Sequence, residues 1–440
     1  MKEAYNRKIS DIGLETGVAR LTPEKIQKTI KAVIDGETGA RLKAYEETCM
    51  HCGMCTEACH HCMSHDGDPT YSPVGKVSQT MSEILRKDGA VSPEFIYQCA
   101  QICYSECNLC RRCIHYCPVG IDTAYIMLTM RRICHKLGVT PQYIQDTAHS
   151  HSVVYNQMWL KDDEWMDTLL WQEEEAREEF PGLRIPFDKE GADFMYSVIA
   201  PEPKFRTQLL YQAAAIFNAA GLNWTVPSEP GWDNSDMCMF TGDHEMMGRL
   251  KRRHYELAMD LRVKKIVMGE CGHAFRSVYD MGNRWLGIAQ WPIEVVHSVQ
   301  FFAELLDAGR IKLAKKWPGQ ITVHDPCNTI RGKGLEERLR DVARHISEEG
   351  IKEMHPNREH NICCCAGGGV INCGPPFKDH RIASNSIKAD QLRAVGVKTC
   401  LTPCHNCHGG MEDLIHKYEL DMELKFIGDI LYEIMEKPEV

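Results

Sequence analysis

The sequence predicts an α/β protein in which a helical, cysteine-rich N-terminal domain is followed by a duplicated α/β body. Three observations lead to this prediction. A run of four cysteines recurs after 58 residues near the start of the chain, and segments of the last 245 residues recur at an offset of 125 residues. Short apolar runs also alternate with amphipathic helices over those 245 residues, which indicates parallel sheet with helical crossovers.

The chain divides where its composition changes. Thr22 and Pro23 mark a helix start near the N-terminus, because Thr is a good N-cap and Pro suits the first turn. Further along, Trp165, Leu169 and Trp171 alternate with acids, which predicts an amphipathic helix that connects two bodies. We predict five regions: a helical arm over 1–40, the cysteine-rich helical domain over 41–140, an acidic helical linker over 141–195, and the two halves of the body over 196–310 and 311–440.

The body is expected to carry its functional site at the ends of its strands. Ligands of parallel sheets bind beyond the carboxyl ends of the strands, and cysteines follow two of the predicted strands in the second half. The predicted strands are 196–200, 237–240, 265–268, 321–324 and 399–402, and the predicted helices include 335–348 and 384–395.

Composition excludes some classes of function. The 440 residues carry a formal net charge of -10, which argues against nucleic acid as a ligand. There are 22 cysteines, and the first twenty residues lack an apolar signal core, so we expect reduced, metal-bound thiols in a cytoplasmic protein. The most apolar stretch, 209–224, is too short and too polar to cross a bilayer, so membrane association would require a partner.

The repeated cysteine run has the spacing C-x2-C-x2-C-x3-C, which is the bacterial ferredoxin form. In that form three thiolates hold one cubane 4Fe-4S cluster and the fourth crosses to the other cluster. Paired zinc knuckles are disfavoured, since zinc sites use isolated cysteine pairs. We therefore assign one cubane to Cys49, Cys52, Cys55 and Cys117, and the second to Cys107, Cys110, Cys113 and Cys59.

The first run departs from the ferredoxin pattern at one position. Pro118 follows Cys117 as the pattern requires, whereas His60 stands where a proline would follow Cys59. A third metal site built from Cys59, His60, His61 and Cys62 is conceivable, but Cys59 is already assigned to a cubane. The other nearby thiols, at Cys99, Cys103 and Cys134, are interpreted as buried packing residues.

Five cysteines of the second half could converge from three loops. Cys327 is separated from the Cys363–Cys364 pair by 35 residues, and another 39 residues precede Cys404, which is followed by Cys407. Five thiols are too many for zinc, which takes four ligands, so a larger iron-sulfur cluster fits better. The glycines at 367–369 would let backbone approach such a cluster closely.

This five-cysteine pattern resembles the cysteine-rich "CCG" domain of heterodisulfide-reductase-like proteins. The resemblance implies that Cys327, Cys363, Cys364, Cys404 and Cys407 hold a non-cubane 4Fe-4S centre that cleaves or forms a disulfide. The family usually has glycine where this chain has Cys365, so whether Cys365 also contacts the cluster is left open. Over about residues 41–430 the layout is similar to the D subunit of the membrane-bound heterodisulfide reductase and to cytoplasmic iron-sulfur subunits of membrane redox complexes in sulfate-reducing anaerobes.

The resemblance also implies partners and a location. A membrane cytochrome b-like or quinone-reacting subunit, with other redox-complex subunits, would exchange electrons with the chain on the inner face of the membrane. A small protein disulfide or a thiol-cofactor heterodisulfide would be the substrate. Candidate proton donors beside the cysteines are His324, Asp325, His405 and His408.

The first half of the body is expected to be a structural half. Mapping the five ligands back through the internal repeat gives only two thiols, Cys238 and Cys271, beside Glu202, Met239 and Ala274. Two thiols are too few for a second non-cubane cluster. Whether Cys271 or the neighbouring His273 faces the substrate is left open.

Three other interpretations compete. Cys404-x-x-Cys407-His408 fits the haem c attachment run, but haem c is attached outside the cytoplasm. The chain could instead be a relay-only subunit, as in glycolate, lactate or glycerol-3-phosphate dehydrogenases, which are built similarly. It could also be a scaffold in which the clusters are structural.

Overall fold

The computed structural model describes residues 9–235, 237–288, 293–331 and 333–437. It shows the predicted α/β class, with an all-helical N-terminal part followed by two parallel sheets. The first eight residues of the predicted arm and Asp236 of the internal repeat lie outside the described residues.

The helical N-terminal part includes the predicted arm. Thr22 caps its helix as predicted, since its hydroxyl accepts the backbone N–H of Lys25. Leu14, Ile26 and Ile30 are fully buried in the same core as the following helices, so the arm packs on the body of the domain. The ten helices described here are α1 (Ile12–Val18), α2 (Pro23–Val33), α3 (Gly36–Thr48), α4 (His60–Met63), α5 (Pro73–Ser78), α6 (Met81–Arg86), α7 (Pro93–Ser105), α8 (Arg112–Tyr116), α9 (Thr123–Leu137) and α10 (Gln142–Val154).

The second helix of the predicted linker belongs to the core of the first half. Helix α11 (Asp162–Glu179) buries Trp165, whose ring stacks on Trp232 at 4.0 Å and whose indole N–H donates to the Pro227 carbonyl at 3.1 Å. Leu169 is also buried, whereas Trp171 is 48% exposed. This helix therefore packs on α12 and contributes to the core of the first half instead of only connecting two bodies.

The first half of the body contains a four-stranded parallel sheet with strand order β2-β1-β3-β4. The predicted strand at 237–240 is wrong. That apolar run is one helical turn, and Gly242 ends it with a φ of 71°. The elements are β1 (Phe194–Ser197), α12 (Gln208–Ala219), β2 (Trp224–Thr225), α13 (Cys238–Thr241), α14 (His244–Asp260), β3 (Lys265–Met268), α15 (Gly272–Phe275), a π-helical turn (Arg276–Met281), α16 (Gly282–Leu286), β4 (Glu294–His297) and α17 (Ser298–Asp307).

The second half repeats this arrangement with a three-stranded parallel sheet of order β5-β6-β7. An isolated parallel bridge between Ile321 and Ile351 lies where the first half has β2 beside β1. The elements are β5 (Ile321–Val323), α18 (Cys327–Ile330), α19 (Glu336–Ile346), α20 (Pro375–Ala383), α21 (Ser386–Val395), β6 (Thr399–Leu401), α22 (His405–Tyr418), β7 (Glu423–Lys425) and α23 (Ile427–Ile434).

The two halves share one hydrophobic core. Helix α12 of the first half packs against α23 of the second, and α17 packs against α19. In each half the first long helix after the first strand, α12 or α19, thus packs on the last helix of the other half, as a twofold relation between the halves requires. Leu210, Phe302, Leu339 and Leu431 all belong to this core.

Within the described ranges, no helix combines the length and the apolar character that crossing a bilayer needs.

Candidate iron-sulfur sites

The five cysteines of the second half lie together at the carboxyl ends of its strands. Cys327 is the first residue of α18, just after β5, and Cys404 immediately precedes α22, just after β6. Cys363 and Cys364 reach the same place from the loop before α20. The side chains of Cys363, Cys364, Cys404 and Cys407 are at most 4% exposed, so these thiols face each other in a buried pocket.

These thiols are connected by a series of contacts that extends beyond the five predicted residues. Cys363 contacts Cys327, Cys364 and, from the N-terminal domain, Cys110. Cys404 contacts Cys407 and, from the first half, Cys271. We call this set the thiol chain; in order of contact it runs Cys110, Cys363 (with Cys327 beside it), Cys364, Cys407, Cys404, Cys271.

The pKa values of neighbouring thiols in this set are shifted in opposite directions. The pKa of Cys364 lies well below its usual value because Cys363 and Cys407 donate hydrogen bonds to it. The pKa of Cys404 is likewise lowered by hydrogen bonds from Cys271 and Cys407. Contacts with Cys364 and Cys404 raise the pKa of Cys407. These shifts follow from the close contacts between the thiols. Several cysteine sulfurs gathered in one buried place are the ligands of an iron-sulfur cluster, so the donor set fits a cluster.

The two ferredoxin-like cysteine runs line two neighbouring cavities. Cys113 borders both of them. The first cavity is lined by Cys49, Cys52, Cys55 and Cys117, and the second by Cys107, Cys110, Cys113 and Cys59. The two groups of four are those predicted from the crossing rule, and each cavity brings its four thiols to one place. The residues present therefore fit two cubane clusters.

Cys110 is where the two parts of the molecule meet. It lines the second cavity, and its thiol is also hydrogen-bonded to Cys363. Ligand atoms of His60, Cys110 and Cys363 lie within 4.8 Å of one another. The second cavity and the thiol chain are thus adjacent, with no intervening layer of side chains between these three residues.

Three buried arginines hold the backbone around Cys110. We call residues 107–111 the bridging loop. Arg131, from the same domain, donates to the Cys107 carbonyl at 2.7 Å. Arg276, from the first half, donates to the Leu109 carbonyl at 3.0 Å, and Arg331, from the second half, donates to the Cys110 carbonyl at 2.7 Å. Each of the three regions therefore supplies one guanidinium group that fixes this loop.

Glycine at 368 permits a close contact with the same loop. Gly368 has a φ of 64°, and a Cβ there would lie 2.4 Å from the Asn108 carbonyl oxygen. The glycine-rich segment was predicted to approach a cluster. At this position it instead lets the second half contact the backbone of the bridging loop.

Two buried lysines beside the thiols were missed by sequence reasoning. Lys76 is 2% exposed, and its ammonium group donates to the Cys59 sulfur at 3.3 Å and to the Glu106 carbonyl. Lys388 is fully buried and donates to Gln391 at 2.6 Å; burial lowers its pKa to about 8. A single lysine on an amphipathic helix resembles a surface residue in the sequence, so no local signal identified either one.

The four candidate proton donors occupy different environments. His324, Cys364 and Cys407 place ligand atoms within 4.8 Å of one another. Asp325 is instead paired with buried Arg340 at 2.8 Å, which is a structural role. The described contacts of the other two also lead away from the thiols, since His405 contacts Glu202 at 3.3 Å and His408 stacks on Phe426 at 3.6 Å. His324 is therefore the histidine of this set that lies at the thiol chain.

The two residues left open in the first half are resolved differently. Cys271 contacts Cys404 and so joins the thiol chain. The His273 ring stacks on Phe240 at 4.0 Å. The neighbouring Glu270 accepts the backbone N–H groups of Ile427 and Gly428 at 2.8 Å each, which caps α23 of the second half. The first half thus contributes one thiol and a helix cap.

Glu202 gives a prediction of pH dependence. Its side chain is buried, and burial raises its pKa from 4.5 to about 8. The folded state then binds more protons than the unfolded state between these values, so the free energy of unfolding falls as the pH rises through that window. In the wild type this pH-dependent decrease in the free energy of unfolding should be on the order of 1–4 kcal/mol. In Glu202→Gln, whose side chain has the shape of the neutral acid but does not titrate, the decrease should be absent.

Thermal unfolding of the anaerobic protein at pH 6 and pH 8.5 tests this. The difference between the unfolding temperatures of Glu202→Gln and the wild type should shift in favour of the variant when the pH is raised from 6 to 8.5. The exposed Glu174→Gln variant should follow the wild type at both values. A constant difference between Glu202→Gln and the wild type would contradict the prediction.

Two models of known domain families match parts of the chain. A model of the 4Fe-4S dicluster domain matches residues 46–121, and a model of the cysteine-rich CCG domain matches residues 321–412. The fold and the sites therefore define an iron-sulfur protein with a dicluster ferredoxin-like domain and a CCG domain.

Two oxidoreductase subunits are similar to the chain over most of its length. It is 25% identical to the Hdr-like menaquinol oxidoreductase iron-sulfur subunit 2 of Archaeoglobus fulgidus, over 92% of this chain and 83% of the relative. It is 25% identical to the D subunit of the dihydromethanophenazine:CoB–CoM heterodisulfide reductase of Methanosarcina barkeri, over 95% of this chain and 99% of the relative. The predicted resemblance to the D subunit of heterodisulfide reductase is confirmed.

A further relative is named for a different reaction. The chain is 23% identical to the EtfAB:quinone oxidoreductase of Syntrophomonas wolfei, over 89% of this chain and 58% of the relative. The similar proteins therefore include oxidoreductases that differ in the partners they are named for.

Proposed function

We propose that this chain is the iron-sulfur subunit of a membrane-associated, Hdr-like oxidoreductase, and that it reduces or forms a disulfide at the thiol chain. When bound, two cubane 4Fe-4S clusters and one non-cubane 4Fe-4S cluster would supply one-electron transfer and disulfide chemistry. The proposed ligands are the two crossed sets of four cysteines and Cys327, Cys363, Cys364, Cys404 and Cys407. The chain would lie on the cytoplasmic face of the membrane through its partner subunits.

One observation carries this proposal. Cys110, which lines the second cavity, is hydrogen-bonded to Cys363 of the thiol chain. Electron transfer weakens steeply with distance, so a contact between the two ligand sets favours a continuous route between them. The arginines that hold the bridging loop keep this contact fixed.

The buried cations would stabilise negative charge on the ligand sets. Thiolates and iron-sulfur clusters are anionic, and an anion in a low-dielectric interior needs nearby positive charge. Lys76 supplies it beside Cys59, and Lys388 supplies it near Cys364 and Cys407. His324 would hold a proton beside Cys364.

The redox partner is proposed to dock at the rim of the first cavity. Its thiol Cys52 is exposed, whereas the thiols of the second cavity are less accessible. Met50, Met54 and Val119 are 65%, 52% and 43% exposed around the same segments. An exposed apolar rim around a cofactor site suits a docking surface for a cytochrome b-like or quinone-reacting subunit.

Thiol-dependent spectroscopy tests the disulfide chemistry. The anaerobic full-length protein is treated with a mild oxidant in the presence and absence of 2-mercaptoethanol, and its EPR spectrum is recorded. A signal that forms only with the thiol supports the proposal. EPR signals that are the same with and without the thiol would contradict the disulfide chemistry and favour a relay-only function. The relay-only function is the second candidate because the chain is also similar to the EtfAB:quinone oxidoreductase.

The role of Lys76 gives a further prediction. Lys76→Met removes a positive charge next to Cys59, so the reduction potential of the second cubane should fall. The expected shift is on the order of 100 mV, since a unit charge at about 5 Å in an effective dielectric of about 20 contributes about 3 kcal/mol. A redox titration followed by EPR measures it.

The control is Lys87→Met, which removes an exposed lysine paired with Glu83. Its titration curves should overlay those of the wild type. Unchanged potentials in Lys76→Met would contradict the proposed charge stabilisation.

A further inference from the structure

Two histidines, a cysteine and an asparagine converge beside the bridging loop. The Asn108 side-chain oxygen lies 3.0 Å from His60 Nε2, 2.8 Å from His61 Nε2 and 3.6 Å from Cys365 Sγ. The three ligand atoms of His60, His61 and Cys365 lie within 4.8 Å of one another. All four side chains are at most 3% exposed.

Two of these residues are unusual where they stand. Cys365 has a φ of 60°, a left-handed conformation that costs a non-glycine residue roughly 1–2 kcal/mol. His60 occupies the position after Cys59 at which the ferredoxin run carries proline. Although far apart in the sequence, they contact the same asparagine oxygen. A strained backbone conformation persists when surrounding interactions stabilise it, and a bond from the Cys365 thiol to a ligand would be such an interaction.

Hydrogen bonding alone does not account for this arrangement. The Asn108 side-chain N–H donates to the Gly367 carbonyl at 3.1 Å, so its oxygen must face the two imidazoles and the thiol. An amide oxygen has two lone pairs, whereas three donors would have to share it here. A cation at the centre of the four groups removes this conflict, because all four then act as ligands.

We propose that His60, His61, Cys365 and Asn108 bind one zinc ion, separate from the iron-sulfur clusters. Two imidazole nitrogens, one thiolate and one carbonyl oxygen suit the tetrahedral, borderline-soft preference of Zn²⁺. With zinc–nitrogen bonds of about 2.0–2.1 Å and a zinc–sulfur bond of about 2.3 Å, neighbouring ligands of a tetrahedron lie about 3.3–3.7 Å apart. The 3.6 Å contact between the Asn108 oxygen and Cys365 Sγ matches these edges. The contacts of 3.0 and 2.8 Å to His60 and His61 are shorter by about 0.3–0.5 Å, so the two rings would move apart from the oxygen by that amount when the ion binds.

The surroundings favour a structural ion. The His60 and His61 side chains are 2% and 1% exposed, so water does not compete for the Nε2 atoms that face the Asn108 oxygen. With four protein ligands and no exposed side chain among them, the site resembles closed structural zinc sites. The ion would join α4 and the bridging loop of the N-terminal domain to the loop that carries Cys363 and Cys364.

Metal analysis of the full-length protein tests the proposal. Anaerobic protein is incubated with ZnCl₂, freed of unbound metal and analysed for zinc and iron. We expect about one zinc per chain beside the iron of the clusters. In Cys365→Gly, where glycine suits the left-handed backbone, bound zinc should fall at least fivefold while the iron content stays unchanged.

Two more variants make the result specific. His61→Gln should also lose zinc, whereas Cys62→Ala should keep it, because the buried Cys62 thiol instead contacts the Asp68 carbonyl at 3.2 Å. X-ray absorption at the zinc edge should show one sulfur at about 2.3 Å in the wild type and in Cys62→Ala.

Three results would overturn the proposal: wild-type protein without stoichiometric zinc, zinc retained in both Cys365→Gly and His61→Gln, or loss of iron together with zinc in Cys365→Gly. The last result would assign Cys365 to a cluster. None of these results depends on thiol-sensitive EPR, so the zinc site and the disulfide function can fail independently.

Discussion

Replacing Cys364 with alanine is expected to lower the iron content from about 12 to about 8 atoms per chain, since three clusters of four are proposed. Cys364 lies in the middle of the thiol chain, in contact with both Cys363 and Cys407. Its loss removes a ligand that the neighbouring thiols cannot supply from their own positions. The thiol-dependent EPR signal should disappear with the iron, while the signals of the two cubanes remain.

Cys373→Ala is the matched control for this experiment. Cys373 is also fully buried in the second half, but its thiol contacts the Gly369 carbonyl at 3.5 Å and lies outside the thiol chain. It should keep all of its iron. A Cys364→Ala protein with the iron content of the wild type would exclude the proposed third cluster.

The Arg131→Met variant is expected to lose about 3–5 kcal/mol of stability. The buried guanidinium group of Arg131 connects three parts of the chain. It donates to Cys103 and Cys107 in its own domain, to Phe240 in the first half and to Gly368 in the second half. Methionine fills much of the volume but leaves four carbonyl groups without this donor. Anaerobic denaturant or thermal unfolding measures the loss.

The corresponding surface change is Arg249→Met. Arg249 donates to the Tyr155 hydroxyl at 3.0 Å on an exposed part of α14, so its loss should cost less than about 1 kcal/mol. Equal stability losses in the two variants would show that the carbonyl contacts of Arg131 do not hold the domains together.

The spacing of the cysteines along the chain predicts which thiols the structure brings close together. A repeat displaced by 58 residues places two sets of thiols in the same local turns, and the crossing of the fourth cysteine follows from the ferredoxin form. The strand at 265–268 was predicted with its observed bounds, because its buried residues form a compact apolar run. The run at 237–240 has the same character but forms a helical turn, since a four-residue apolar run does not distinguish strand from buried helix.

What could not be predicted depends on how the domains dock. Neither the contact between Cys110 and Cys363 nor the three arginines around the bridging loop has a local pattern in the sequence. The two cysteines are far apart along the chain, and periodicity describes only neighbours along a helix or strand. The departures at His60 and Cys365 were visible in the sequence, but their common contact with Asn108 required the structure.

The packing of helices between the two halves gives the first half a structural role, although it carries only two of the five ligand-type cysteines. Without α12 and α17, the fully buried apolar faces of α23 and α19, including Ile430 and Val342, would be exposed to water. A fragment that begins after residue 310 would therefore carry all five cysteines of the CCG domain yet expose a large apolar surface. Aggregation of such a fragment would reflect this missing cover and not a defect of its metal ligands.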